Sequence, residues 1–409
     1  MEIFHRSVLA ADMAGKILFV SPTSASSSGL FLAAPRRTGK STFLREDLRP
    51  QLERQGALVV YADLWEDRRT DPGEVIVHAV RTELSKHEGV VKRMAKAAGM
   101  EKVALGGVSF SLERVGLGDG VSLSAALAAL SDECKRTIVL IIDEAQHAIT
   151  SDKGNDILFA LKAARDELNS SRHMGLRIVA TGSNRDKLAM LRNSRDQAFF
   201  GAPLINFPPL GADYIGWFCE RVDLPGPLDP EQVLALFRRA SFRPELLGAA
   251  ADALRFAFDL QADAVAQEFA NAVAAQIEAS NGELLRVVHS LTPLQSAVLR
   301  VLAARGDDYA PFEAGTIATY QTVLQATGQA ADVKADVPGV QQALLALQEK
   351  SLVWRAARGV SALEETALSE LMAADGLLAI VPPIPGPGAP PVAAGLAVGG
   401  AGGNRLMPG

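Results

Sequence analysis

The sequence predicts an α/β fold in which helices cover both faces of a parallel sheet, followed by two helical regions. Four short segments in the first half of the chain are predominantly apolar: residues 30–33, 57–61, 137–142 and 177–180. Amphipathic helical segments at 41–55 and 72–86 alternate with them. Strands that are apolar along their whole length are typical of parallel sheets buried on both faces.

The first 28 residues are interpreted as an N-terminal lead-in, with a short strand at 17–20 and a Ser/Thr-rich loop at 21–28. The sheet-bearing core is expected at 29–208. A Gly-rich stretch at about 102–123 interrupts the alternation of strands and helices. It predicts a β-hairpin inserted between core elements.

Two further regions follow the core. Residues 209–288 are rich in Ala and Leu and have no strand-like segment, so we expect an α-helical lid. Residues 289–378 predict a winged-helix domain, because three helical segments precede a strand-forming wing at 351–360. The helical segments are residues 293–304, 319–327 and 340–349.

The last segment, residues 379–409, is a tail rich in Pro, Gly and Ala. Of the 28 residues from 382 to 409, 7 are Pro and 8 are Gly. This composition neither continues a helix nor buries a core, and so we expect disorder.

Composition narrows the class of protein. The net charge of −6 gives no global attraction to nucleic acid or to an anionic membrane. Cys134 and Cys219 lie far apart, which argues against a disulfide framework and a structural zinc site. No secretory signal or membrane-spanning segment is visible, and we expect a cytoplasmic protein without a membrane partner.

A phosphate-binding loop is predicted directly after the first apolar strand. Residues 34–41 match the pattern G-x-x-x-x-G-K-[ST] except for Ala34 at its first position. In such a loop, backbone N–H groups surround the phosphates and Lys40 reaches the β- and γ-phosphate oxygens. Ala34 is tolerated if that position needs no positive φ. The predicted nucleotide-contacting residues are Pro35, Arg36, Arg37, Thr38, Gly39, Lys40, Ser41 and Thr42.

Two carboxylates complete the predicted site. Asp143 and Glu144 end an apolar strand about 100 residues after the loop. Ligands of open parallel sheets bind at the carboxyl ends of the strands. Asp143 and Ser41 are therefore the predicted Mg²⁺ ligands, and Glu144 is expected to polarise the attacking water. The alternative interpretation is that the two acids are solvated residues at the start of a loop. The phosphate-binding loop predicted about 100 residues earlier makes this alternative the weaker one.

The strand at 177–180 leads into further polar residues. Ser183 and Asn184 either contact the γ-phosphate and orient the water or form an ordinary turn. His147, close to the two acids, is interpreted as a hydrogen-bonded scaffold residue.

Together these strand ends resemble the AAA+/STAND-type P-loop NTPases, and within them the group called archaeal-type ATPases. Pro35, Arg36 and Arg37 match that group's Gly-Pro-Arg-Arg loop, residues 142–146 its Walker B segment and residues 180–183 its sensor 1 turn. The resemblance implies an ATPase with ATP and Mg²⁺ as cofactors. Ala34 departs from the group's pattern and leaves the rate of hydrolysis open.

The resemblance extends into the helical region. Residues 241–246 resemble the group's Gly-x-Pro segment, in which Arg243 would act as sensor 2, although Ser241 and Phe242 stand where Gly residues are usual. In AAA+ assemblies an arginine from a neighbouring subunit stabilises the charge on the γ-phosphate. Arg192 and Arg195 are the candidates, and solvated arginines are the alternative interpretation.

Two functions fit these features. The first is an ATP-hydrolysing switch that touches DNA through its winged helix; the second is a non-hydrolysing, nucleotide-gated protein-interaction module. Residues 291–375 carry six basic and ten acidic residues, a net charge of −4, so counterion release contributes little. The sequence leaves open whether the partner is DNA or protein, and whether the chain forms a homo-oligomer.

Overall fold

The structure is a computed structural model. It describes residues 2–21, 24–67, 69–87, 89, 115–116, 121–170, 173–328, 333–357, 360–365 and 367–383 of the 409-residue chain. The chain divides into two compact units, Met1–Val287 and Val288–Gly409. The five segments predicted from the sequence are finer than this division, and their boundaries remain predictions.

A five-stranded parallel sheet forms the centre of the first unit. Its strands are β1 (Leu30–Ala33), β2 (Leu58–Asp63), β5 (Ile138–Asp143), β6 (Leu176–Gly182) and β7 (Leu204–Asn206). They lie in the order β2-β5-β6-β1-β7, and every pairing is parallel. The strand that precedes the phosphate-binding loop therefore neighbours β6, which in turn neighbours the strand with the two acids.

Alternate residues of each strand enter two separate hydrophobic cores. In β5, Ile138, Leu140 and Ile142 pack on one face, whereas Val139 and Ile141 pack on the other. Because side chains alternate along a strand, such a segment must be apolar throughout. The predicted fold class is thus confirmed for this region.

Helices cover both faces of the sheet. Pro72–Ser85, Leu123–Cys134 and Asp152–Ser170 contribute to one core. Ser7–Leu18 and a helix that begins at Lys40 contribute to the other. The latter, the P-loop helix, comprises three consecutive segments: Lys40–Thr42, the π-helical Phe43–Leu48, and Arg49–Arg54. Shorter elements are the 3₁₀ turns Ala25–Ser28 and Ala145–Thr150 and the helix Arg185–Ala189.

The predicted strand at 17–20 was wrong. Residue 17 lies in the last turn of the helix Ser7–Leu18, whose buried residues are Ala10, Met13, Ala14 and Ile17. Their spacing of three and four residues places them on one helical face. Residues 17–20 contain only the last residue of this buried helical face, and so the segment by itself does not show the helical spacing.

The predicted β-hairpin at 102–123 lies mostly outside the described residues. The described part pairs β3 (Val115–Gly116) with β4 (Val121–Ser122), and this two-residue pairing is parallel. Most of the predicted disordered tail, from residue 384 onwards, also lies outside the described residues. Both predictions therefore stay predictions.

Four helices form the helical lid, as predicted: Ala212–Arg221, Pro230–Arg239, Pro244–Arg255 and Val265–His289. Tyr214, Phe237 and Phe269 lie in their common core.

The second unit contains the helices Pro293–Arg305, Ala314–Ala326 and Val337–Glu349, then the antiparallel strands β8 (Val353–Ala357) and β9 (Val360–Leu363), and the helix Ala367–Ala374. This is the predicted winged-helix arrangement. The buried hydroxyls of Tyr309 and Tyr320 are hydrogen-bonded at 2.6 Å.

A bilayer-spanning helix, which needs about 20 mostly apolar residues, is absent from the described part of the chain.

Ser241 and Phe242 both have positive φ angles, 54° and 56°. A Cβ atom is disfavoured in this left-handed region, in which glycine is unstrained. The backbone therefore explains why glycine is usual at these positions in the group that the sequence resembles.

We expect Ser241→Gly to raise the free energy of unfolding by about 0.5–1 kcal/mol, because relief of the left-handed strain exceeds the added entropy of the unfolded chain. Urea denaturation measures the change. Ser241→Ala is the matched control, since it removes the same hydroxyl but keeps the Cβ. An equal gain in both variants would contradict the strain argument.

Candidate functional site

The predicted phosphate-binding loop, between β1 and the P-loop helix, contains two residues with positive φ and ends at a helix N-terminus. Gly39 precedes the helix with a φ of 81°, and Arg37 has a φ of 62°. The Thr38 hydroxyl donates a hydrogen bond to the Pro35 carbonyl at 2.7 Å. Ala34 is buried and is not among the residues with positive φ. Alanine at the first motif position is therefore compatible with the loop.

Lys40 connects the loop to the two neighbouring strand ends. Its side chain is only 5% exposed. The Nζ atom donates to Glu144 Oε1 at 2.8 Å, to Thr181 Oγ1 at 3.0 Å and to Asp143 Oδ1. Three residues that are more than 100 positions from Lys40 in the sequence thus surround one ammonium group.

Asp143 is fully buried at the end of β5. The Thr181 hydroxyl donates to its Oδ1 atom, and the Tyr61 hydroxyl donates to its Oδ2 atom at 2.9 Å. Burial raises the pKa of the Asp143 carboxyl, but the charge of Lys40 and hydrogen bonds from Lys40, Thr181 and Ser41 outweigh it, and the pKa is lowered to about 2. Burial and the Asp143 charge raise the pKa of Tyr61, which keeps its hydroxyl protonated.

Glu144 is held by residues of two elements. Ser183 Oγ donates to its Oε2 atom at 2.8 Å, and Gln146 Nε2 donates to the same atom at 2.6 Å. Burial raises the pKa of Glu144, but the Lys40 charge and these hydrogen bonds lower it below its ordinary value. The backbone of Glu144 has a φ of 54°. The carboxylate is therefore ionised and fixed in orientation.

Of the remaining predicted residues, one lies beside the two carboxylates, one caps a helix and two are exposed. Arg36 Nε contacts Ser183 Oγ at 3.4 Å, which places it beside the site. Asn184 instead caps the helix Arg185–Ala189 by accepting from the backbone N–H groups of Asp186 and Lys187. Arg37 and Thr42 are exposed at the loop and the first helical turn.

Arg192 and Arg195 are the predicted candidates for an arginine that acts on a neighbouring subunit, and Arg243 is the predicted sensor 2; these roles stay predictions. Arg192 donates to Asn193 at 3.2 Å, and Arg195 is exposed. Arg243 pairs with Glu245 at 2.7 Å and donates to Ser280 at 3.1 Å. Within the described residues, no hydrogen bond or ion pair joins these arginines to Asp143 or Glu144.

Sequence reasoning missed Thr181, Tyr61 and Gln146 as site residues. Thr181 was passed over in favour of the two polar residues that follow it, although a buried polar residue at a strand end was the available signal. Tyr61 is the polar member of an apolar strand, paired in register with Ile141 of β5. Gln146 follows the acids and belongs to the segment that matches the Walker B pattern.

The donor atoms at this site fit Mg²⁺. The Ser41 hydroxyl and the Asp143 carboxylate lie within hydrogen-bond reach of each other, and both are hard oxygen ligands. The described residues contain no group of three or more His, Cys, Asp and Glu side chains placed to hold a metal. Mg²⁺ usually takes one or two protein oxygens and completes its shell with phosphate and water, which matches this pair.

Residues 25–188 match a protein family described as an AAA domain. This segment is therefore similar to AAA domains. It contains the loop, Lys40, both carboxylates and Ser183, and it agrees with the resemblance to archaeal-type AAA+ ATPases that the motifs indicated. No protein with curated annotation matches the chain.

Solved structures of similar fold match the chain beyond residues 25–188, over the lid and the second unit as well. The chain is 16% identical to a Walker-type ATPase of Pyrococcus abyssi, with a TM-score of 0.51 and coverage of 91% of this chain and 96% of that one. It is 14% identical to the ADP form of the Aeropyrum pernix ORC2 protein, with a TM-score of 0.54 and coverage of 92% and 95%. The ADPNP-ADP complex of ORC2 gives 16% identity, a TM-score of 0.51 and 93% coverage of both chains.

Replacement of Lys40 tests the electrostatics of the candidate site. We expect Lys40→Met to lower the free energy of unfolding by about 3–5 kcal/mol at pH 7, since it leaves the buried Asp143 carboxylate and the partly buried Glu144 carboxylate without their cation. The folded-state pKa values of Asp143 and Glu144 are lowered, so their ionisation stabilises the wild type above pH 4–5 and this stability is lost as the pH falls.

The difference between Lys40→Met and the wild type should therefore shrink as the pH falls from 7 towards 4, where the unpaired carboxylates become protonated. Urea denaturation across this pH range measures it. Lys16→Met is the matched control, because Lys16 forms an exposed i,i+4 pair with Asp12 and its loss should change stability by about 0.5 kcal/mol or less. If the difference in the free energy of unfolding between Lys40→Met and the wild type did not change with pH, the proposed pairing of Lys40 with ionised Asp143 and Glu144 would be contradicted.

Proposed function

We propose that the protein binds ATP with Mg²⁺, hydrolyses it, and uses its nucleotide state as a conformational switch. The observation that carries this proposal is the convergence of Lys40, Asp143, Glu144 and Ser183 at the carboxyl ends of neighbouring parallel strands. The AAA domain match supports it. The ORC2 structures of similar fold, described with ADP and ADPNP, support nucleotide binding.

Binding begins with an exchange of partners at Lys40. The ammonium group now bonds two carboxylates and Thr181. Phosphate oxygens accept equally strong charge-assisted hydrogen bonds, and the loop N–H groups and the N-terminus of the P-loop helix add to their attraction. Lys40 then neutralises phosphate charge, while Asp143 and Ser41 become free to bind a cation.

Hydrolysis follows from the position of Glu144. The oxygen of a water molecule forms a bond to the γ-phosphorus while the bond from that phosphorus to the β,γ-bridging oxygen breaks. ADP keeps the electron pair of the broken bond, and Glu144 accepts the proton of the water, which then passes to the released phosphate. Ser183 and Gln146 hold Glu144 in orientation. Mg²⁺, when held by Ser41 and Asp143, neutralises negative charge on the β- and γ-oxygens.

The N-terminal segment supplies a physical route from the nucleotide to the lid. His5 Nδ1 lies 2.8 Å from Asp47 of the P-loop helix, and the Arg6 guanidinium lies over Phe43 and Phe207. Phe4 packs edge-on against Tyr214 of the lid at 5.5 Å. A shift of the P-loop helix would therefore move the lid through this segment.

The winged helix is the proposed contact for a partner, with protein favoured over DNA. Its third helix, Val337–Glu349, exposes Gln341, Gln342 and Leu345 and contains neither Lys nor Arg. DNA affinity depends on basic residues that neutralise phosphates. A homo-oligomer remains part of the proposal, since AAA+ sites are often completed by a neighbouring subunit.

Turnover measurements test the enzymatic part. We expect Glu144→Gln to lower kcat for ATP by about 100-fold or more with little change in ATP affinity, because the amide accepts no proton. Lys40→Ala should abolish measurable ATP binding. Glu53→Gln is the matched control, since Glu53 forms an exposed pair with Arg49 away from the site, and its kcat should equal that of the wild type.

Tight ATP binding with turnover unchanged by Glu144→Gln would instead favour the non-hydrolysing, nucleotide-gated interaction module. No ATP binding by the wild type would refute both forms of the proposal.

A gel-shift experiment at 50 and 200 mM salt tests the partner class. We expect weak DNA binding with a shallow salt dependence, because the exposed face of the third helix has no cation to release counterions. Gln341→Lys/Gln342→Lys is the positive control and should steepen the salt slope by roughly two units. Affinity of the wild type that falls about 1,000-fold between the two salt concentrations would show that DNA is a partner.

A further inference from the structure

Arg36, a residue of the P-loop motif, packs on the aromatic side chain of Trp65, which lies outside the motif. Its guanidinium carbon is 4.9 Å from the centre of the Trp65 ring. Trp65 in turn packs on His147, with ring centres 4.5 Å apart and an angle of 35° between the planes. The three side chains form a stack that joins the loop, the segment after β2 and the turn after β5.

The stack ends beside the residues that hold Glu144. Arg36 Nε lies 3.4 Å from Ser183 Oγ, and the same hydroxyl donates to Glu144 Oε2 at 2.8 Å. Lys40 bonds the other carboxylate oxygen of Glu144 at 2.8 Å. Glu144 thus lies between two cationic side chains of the same loop, one in direct contact and one a single hydroxyl away.

This position suits a cation that stabilises the transferred phosphoryl group. Charge accumulates on the γ-phosphoryl oxygens in the transition state, close to the water that Glu144 orients. A guanidinium with several N–H donors can contact these oxygens and Ser183 together. Packing over an aromatic face reduces the number of orientations that the flexible arginine side chain samples.

We propose that Arg36 contacts the γ-phosphoryl group and acts within its own subunit, with Trp65 and His147 as positioning residues. The proposal rests on the proposed ATP hydrolysis. It assigns to Arg36 the charge stabilisation for which a neighbouring subunit's arginine would otherwise be needed. The bond changes are those of ATP hydrolysis given above, and Arg36 neither gains nor loses a proton.

Steady-state kinetics of the full chain with ATP and Mg²⁺ test the role of Arg36. Arg36→Ala should lower kcat about 100-fold, while the Kd for ADP, which lacks the γ-phosphate, changes less than about threefold. Arg221→Ala is the matched control: Arg221 lies over Trp217 in the lid at 5.2 Å, and its removal should leave kcat unchanged. A kcat for Arg36→Ala within threefold of the wild type overturns the proposal.

The role of Trp65 has its own test. Trp65→Ala should lower kcat about tenfold, whereas Trp65→Phe, which keeps an aromatic face under the guanidinium, should stay within about threefold of the wild type. Arg36→Ala/Trp65→Ala should then be no slower than Arg36→Ala alone, because Trp65 acts through Arg36. Equal losses in Trp65→Ala and Trp65→Phe, or additive losses in the double variant, contradict the positioning role.

A mixing experiment separates action in the same subunit from action across an interface. Arg36→Ala and Glu144→Gln are combined in equal amounts. If Arg36 serves its own subunit, the mixture has only the summed residual activities of the two variants. Recovery of a substantial part of the wild-type rate would show that arginine and glutamate come from different subunits, and would overturn the proposal.

These outcomes are distinct from a failure of the proposed function. Wild-type protein that shows no Glu144-dependent turnover rejects ATP hydrolysis, and the role of Arg36 with it. Glu144-dependent turnover that persists in Arg36→Ala rejects the role of Arg36 alone.

Discussion

The structure depends on one buried cation and the carboxylates around it. Lys40, Asp143 and Glu144 would each be unfavourable in the interior alone, since an unpaired buried charge is strongly destabilising. Together they form ion pairs that Thr181 completes as donor and acceptor. These hydrogen bonds form only if the loop, β5 and β6 are placed precisely relative to one another. Phosphate binding would use the same group, because Lys40 would exchange its carboxylate partners for phosphate oxygens.

The strand order makes this register attainable. β6 lies between β1 and β5, so the ends of three strands from distant parts of the chain meet at one edge of the sheet. Parallel pairing places all their carboxyl ends on the same side. Thr181 and Gly182 of β6 are therefore located between the loop and the acids, and Gly182 leaves room for Gln146, whose Oε1 atom lies 2.4 Å from the position a Cβ would take there.

The sequence predicted those parts of the molecule in which local pattern and chemistry agree. Strands such as 138–142 are apolar on both faces, and Lys40, Asp143 and Glu144 belong to motifs whose residue types follow from phosphate and Mg²⁺ chemistry. It could not predict Tyr61 as a partner of Asp143, because that contact depends on register between β2 and β5. The strand assigned at 17–20 failed because four residues are too few to distinguish a helix end from a strand. For Asn184 the sequence left open a phosphate contact or a turn; the structure shows its side chain capping the helix that follows, and the phosphate contact stays a prediction.

The stack of Arg36, Trp65 and His147 also has an optical consequence. Indole fluorescence is sensitive to charges and polar groups that contact the ring, and Trp65 contacts a guanidinium and an imidazole. The other two tryptophans, Trp217 and Trp354, lie in the lid and in the second unit. With these two replaced by phenylalanine, the chain would carry a single tryptophan, beside the phosphate end of the proposed nucleotide site, which can be excited selectively over the four tyrosines. Movement of Arg36 during the cycle would then be visible in real time without an attached label.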